Sequence, residues 1–130
     1  MILAPERRFL LVDEDRAYRL LLSSLMRLQG VETDEASTPE AALTRLAERP
    51  VCSVLIGATH RGPFAPTVAR RITSRYGAAR PCLVALTCTP TTLYRKRAKT
   101  DAFDVLHERV FDLDGVDRLL SQLSGAPCLP

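Results

Sequence analysis

Two adjacent carboxylates, Asp13 and Glu14, follow directly on the apolar run Phe9-Leu10-Leu11-Val12, and a third, Asp15, comes next. Such a pair can help to hold a divalent cation, which wants oxygen ligands on several sides. An apolar run with no alternation reads as a short strand buried on both faces, as in the middle of a parallel sheet. Acids at its carboxyl end stand where open α/β sheets form their binding crevices.

Few other residues compete for chemistry. The histidines are His60 and His107, and the four cysteines form no Cys-x-x-Cys pair, so no zinc site is expected. Cys52, Cys82 and Cys88 fall in or beside apolar runs, where a thiol behaves as a small buried hydrophobe; Cys128 belongs to the terminal tail.

The elements that must position the acids are legible from periodicity. Asp15 caps a helix over about Arg16–Gln29, with Tyr18, Leu21, Leu22, Leu25 and Met26 at helical spacing, and Gly30 stops it. Val31–Ala36 reads as a polar edge strand. Ser37-Thr38-Pro39-Glu40 has the form of a helix start, and that helix runs to Pro50. Val51–Ile56 is a second buried strand, followed by the irregular Gly57–Pro63. A helix after Pro66 carries Val68, Ile72 and Tyr76 on one face. Pro81–Thr87 is an apolar strand, and Thr89-Pro90 opens a basic helix to about Thr100. Phe103–Arg109 is the last strand and Leu113–Leu123 the last helix. Strands alternating with helices predict an α/β fold, a five-stranded parallel sheet doubly wound by helices on both faces. Residues 1–124 read as one domain and 125–130 as a fraying tail. No apolar run approaches the ~20 residues of a membrane span, and the N-terminus lacks the order of a signal peptide, so the cytoplasm is the expected location.

Charge is distributed unevenly. Between Arg49 and Thr100 stand Arg61, Arg70, Arg71, Arg75, Arg80, Arg95, Lys96, Arg97 and Lys99 without a single Asp or Glu. The net charge of +3 thus hides a basic middle between acidic ends.

With this layout the chain resembles the receiver domains of response regulators, the flavodoxin-like phosphorylation switches of two-component signalling. The resemblance runs from about Arg8 to Leu123. It rests on Asp13-Glu14 after the first strand, Leu86-Thr87-Cys88 ending the fourth and Arg109-Val110-Phe111 ending the fifth, where receivers read Leu-Thr-Ala and Lys-Pro-Phe. The resemblance implies a phosphoryl-accepting aspartate after the third strand, a Mg²⁺ beside the acid pair, a lysine that balances phosphoryl charge and a hydroxyl that carries the signal.

This chain departs from that pattern at four places. Gly57 stands at the acceptor position, and the nearest acids to it in sequence are Glu48 and Asp101. Arg109 replaces the lysine, Val110 the following proline and Leu106 the switch aromatic. The resemblance is therefore to a pseudo-receiver, with Asp13, Glu14, Gly57, Thr87 and Arg109 as a vestigial phosphorylation pocket and Arg109 directed at both acids. No catalysis, metal or cofactor is expected.

The function expected is a stand-alone, phosphorylation-independent protein-interaction module in bacterial signalling. Its docking face would be Arg70, Arg71, Arg75, Arg95, Lys96, Arg97 and Lys99, and its partner a signalling protein with an acidic surface. Self-association is expected through the helix over Thr89–Thr100, the last strand and the last helix. One alternative is polyanion or nucleic-acid binding through the same basic face, although no helix-turn-helix or stacking aromatics accompany it. Another is phosphorylation at a nonstandard residue such as Thr59 or His60.

Overall fold

The computed structural model describes residues 8–58, 62–88 and 103–124. Strands β1 (Arg8–Val12), β2 (Glu32–Ala36), β3 (Ser53–Ala58), β4 (Cys82–Thr87) and β5 (Val105–Glu108) form one parallel sheet in the order β2-β1-β3-β4-β5. The described helices are α1 (Arg16–Leu28), α2 (Pro39–Glu48), α3 (Phe64–Tyr76) and α4 (Leu113–Ser124), with a 3-10 turn at Gly77–Ala79. The helix expected over Thr89–Thr100 lies outside the described residues, as do Thr59, His60, Arg95, Lys96, Arg97, Lys99 and the tail 125–130.

The sheet separates two apolar layers. Phe9, Leu11, Leu55 and Val84 face α1 and α4. Leu10, Val12, Val54, Ile56 and Leu83 face α2 and α3. Every residue of β3 and β4 is buried, which explains why those strands read as unbroken apolar runs. β2, at the edge, spends four of its five residues on partly or fully exposed positions.

Local chemistry sets the helix starts. Asp15 accepts the Tyr18 amide at 3.2 Å and caps α1. Thr38 accepts the Ala41 amide at 3.0 Å and caps α2, with Pro39 in its first turn. Gly30 adopts φ 77° after α1, a left-handed conformation that costs glycine little.

Several boundaries differ from the sequence reading, β5 being shortened to Val105–Glu108, and one matters for the site. α3 begins at Phe64, ahead of Pro66, because a first-turn proline lacks only an N–H that has no intrahelical acceptor. β3 starts at Ser53 and runs on to Ala58, held by the ladder Gly57↔Leu86 and Ala58↔Thr87. Gly57 therefore lies inside a strand and not in a loop. Cys82, read as a free buried thiol, is disulfide-bonded, whereas Cys52 and Cys88 form no disulfide. No described helix is long and apolar enough to cross a membrane.

Candidate functional site

β1 pairs with β2 on one side and β3 on the other, so the connections diverge at its carboxyl end and open a crevice there. The crevice brings together Asp13 from β1, Gly57 from β3 and Arg109 from the end of β5. Asp13 is held from three directions. Its amide donates to Ala36 O at 3.2 Å, its carbonyl accepts Arg19 Nη1 at 2.6 Å, and its Oδ1 accepts the Asp15 amide at 2.8 Å. Its Oδ2 lies 3.2 Å from Arg109 Nη1 and makes an ion pair, without the alignment of a hydrogen bond.

That ion pair fills the space an acceptor carboxylate would need. A Cβ built on Gly57 would stand 1.9 Å from Asp13 Oδ2 and 3.1 Å from Arg109 Nη2. The side chains of Arg109 and Asp13 are only 13% and 10% exposed, so little water screens them. Thr87 sits beside them, buried, with its carbonyl accepting the Arg109 amide at 3.1 Å. Glu14, expected as a second partner of Arg109, is instead exposed and unpaired. The backbone turns after Asp13 to start α1, and successive side chains leave in different directions.

Tyr18 completes the cluster, and sequence reading assigned it only to the apolar face of α1. Its ring lies under the guanidinium, with Arg109 Cζ 4.4 Å from the ring centroid. Its hydroxyl accepts the Val110 amide at 2.9 Å, and Phe111 meets it edge-on at 5.6 Å between centroids. The signal that could have revealed it is an aromatic with a polar tip within one turn of the acids, since a buried Tyr hydroxyl needs a partner. Leu106 sits half-buried in the opposite apolar layer. Among the described residues, the ring that meets Arg109 thus comes from α1 and not from β5.

Burial pushes the Tyr18 hydroxyl above its usual pKa of 10.0, opposed by the Val110 amide and by Arg109. A raised folded-state pKa keeps the native tyrosine neutral while the unfolded one ionises. Its stabilising contribution is full below pH 10 and is lost as pH rises past that value. Tyr18→Phe strips the acceptor from the buried Val110 N–H and should cost about 1–3 kcal/mol. The wild type should lose more stability between pH 9 and 11 than Tyr18→Phe does, measured by urea unfolding. Equal losses would show that the hydroxyl is solvated.

The residues present do not fit the Mg²⁺ that receivers bind. One carboxylate faces a guanidinium, the second points to solvent, and the third ligand position is a glycine. Among the described residues no cluster of three His, Cys, Asp or Glu side chains could hold a metal. Arg109 instead brings a planar guanidinium fork to face the Asp13 carboxylate.

Of the residues expected to form a basic docking face, α3 exposes Arg70, Arg71 and Arg75. The absence of acids between Arg49 and Asp101 does not leave them all unneutralised. Arg71 pairs with Glu40 of α2 at 3.0 Å, and Arg80 forms a two-pronged pair with Asp104 at 2.9 and 3.0 Å. Acids far away in sequence are returned to the basic segment by the fold.

No protein-family model matches the chain, and no curated protein does. Solved structures do. A chemotaxis protein of Vibrio cholerae superposes with a TM-score of 0.78 at 13% identity, covering 90% of this chain and 98% of that one. A signal receiver domain from Bermanella marisrubri gives 0.75 at 18%, covering 92% and 99%. An orphan response regulator of H. pylori gives 0.67 at 14%, covering 90% and 92%. At these identities the likeness concerns the backbone, and the fold of this chain is the fold of CheY-like response-regulator receivers.

Proposed function

We propose that this chain is a receiver-fold signalling module that works without accepting a phosphoryl group and acts by docking onto other proteins. The observation that carries the reading is Gly57 at the acceptor position, with the Asp13–Arg109 pair occupying the volume beside it. Acyl phosphate needs a carboxylate, and a glycine has none. The transferring phosphoryl group also needs cationic charge free to meet it. Arg109 is engaged with Asp13 and stacked on Tyr18, so its charge is already spent within the protein.

A receiver fold that has lost this reaction keeps rigid surfaces, and those surfaces are what remains to convey a signal. An acidic partner could meet α3 at Arg75, which is exposed and carries no ion pair. The neutralised Arg71 weakens the case for polyanion binding through that side. Incubation with acetyl phosphate and Mg²⁺, followed by intact mass, is expected to show no adduct. A stoichiometric, acid-labile mass gain would overturn the reading, and its position would identify the residue that replaces Gly57.

A further inference from the structure

α2 and α3 are neighbours over one face of the sheet, sharing an apolar layer that includes Ala42, Ala69 and Ile72. Toward solvent they leave a groove of about 430 Å³ between them, within the range of small-molecule sites. Glu40, Leu43, Thr44 and Ala47 recur at spacings of three and four, so α2 presents them as one stripe. Arg71 and Arg75, four residues apart, form the facing wall on α3. Ala47 is exposed and carries only a methyl group, so the groove stays open beside it.

The charges along the groove differ in what already holds them. Arg71 is paired across it with Glu40 at 3.0 Å, and Glu48 is paired with Arg45 of its own helix at 3.3 Å. The Thr44 hydroxyl donates to Glu40 O at 3.1 Å and keeps only its capacity to accept. Arg75, one turn beyond Arg71, is exposed and makes no ion pair among the described residues.

This inventory sets the sign of a ligand. A cation would have to separate Arg71 from Glu40, or Arg45 from Glu48, to reach an acid. An anion meets Arg75 without breaking a pair, and the guanidinium offers a carboxylate two parallel N–H groups. A second anionic group would find Arg71 already taken. The apolar surface of Leu43 and Ala47 is covered only if the ligand also carries an apolar body.

We infer that the α2–α3 groove binds a small amphiphilic monocarboxylate, its head on Arg75 and its apolar body along Leu43 and Ala47. The groove shares no residue with the crevice of Asp13, Gly57 and Arg109. It stands whether or not that crevice accepts a phosphoryl group. It needs no partner protein, so its test is also separate from the docking of other proteins.

Hexanoate titrated into the full chain, followed by amide and methyl NMR, tests the site. Saturable shifts at Leu43, Ala47 and Arg75 are expected, with a dissociation constant of about 1 mM. Acetate has the head without the body and should bind about tenfold more weakly. Hexylammonium should leave these signals in place. Arg75→Ala removes the cation and Ala47→Leu fills the groove, each at an exposed position, so circular dichroism should be unchanged. Each should weaken hexanoate about tenfold. Absence of saturation at ~20 mM hexanoate overturns the site. Equal affinity for acetate overturns the amphiphilic class and leaves a simple anion contact. Hexylammonium binding as tightly as hexanoate overturns the sign of the ligand, and unchanged affinity in Arg75→Ala overturns the role of that residue.

Discussion

Arg109→Ala should lower the unfolding free energy by about 3 kcal/mol, the low end for removing one partner of a buried ion pair. The loss has two parts. Asp13 keeps a charge in a site where its side chain is 10% exposed, with no cation to face it. Tyr18 loses the guanidinium stacked on its ring, a contact worth about 1–2 kcal/mol when desolvated. For a domain of this size the midpoint of thermal unfolding should fall by roughly 10 °C. Arg109→Lys retains the charge and loses the stacked planar fork, so it should sit between wild type and alanine. Denaturant unfolding at pH 7 measures both. A loss under about 1 kcal/mol for the alanine variant would make the pair equivalent to a screened surface contact and sink the idea.

Gly57→Ala should destabilise by about 2 kcal/mol, although glycine to alanine within a strand ordinarily stabilises or is neutral. The added methyl would stand 1.9 Å from Asp13 Oδ2, and Asp13 has little freedom to yield. To move, its carboxylate must leave the Asp15 amide, the Arg109 pair or both. The clash has one principal partner, so the cost should depend on it. In an Asp13→Ala background, Gly57→Ala should become nearly neutral, a coupling of about 2 kcal/mol in a double-mutant cycle. Additive losses in the cycle would show that Gly57 is constrained by something other than Asp13.

These two variants address a feature the sequence shows only in part. Gly57, Asp13 and Arg109 could be aligned on the resemblance, and their identities already argued against phosphoryl transfer. That Asp13 and Arg109 close on one another while Glu14 turns outward depends on side-chain direction at a strand end. Tyr18 was recognisable as an apolar-face residue but not as the ring beneath Arg109, because that contact joins residues far apart in the chain. The basic middle misled for a related reason. Counting charge along the chain placed no acid near Arg71 or Arg80, whereas α2 brings Glu40 to one and the start of β5 brings Asp104 to the other.

By itself the sequence determined the fold class, the sheet's strands and the helix caps. Those follow from local signals: unbroken apolar runs for buried strands, helical spacing for α1 and α4, and Asp15 and Thr38 as caps. It also placed a glycine at position 57 and an arginine at position 109, since a residue type is a local fact. The tertiary structure decided what occupies the vacated space, which charges are neutralised and which leucines remain uncovered. Each of these depends on contacts between segments distant in sequence, and on distances of a few ångströms that periodicity does not encode.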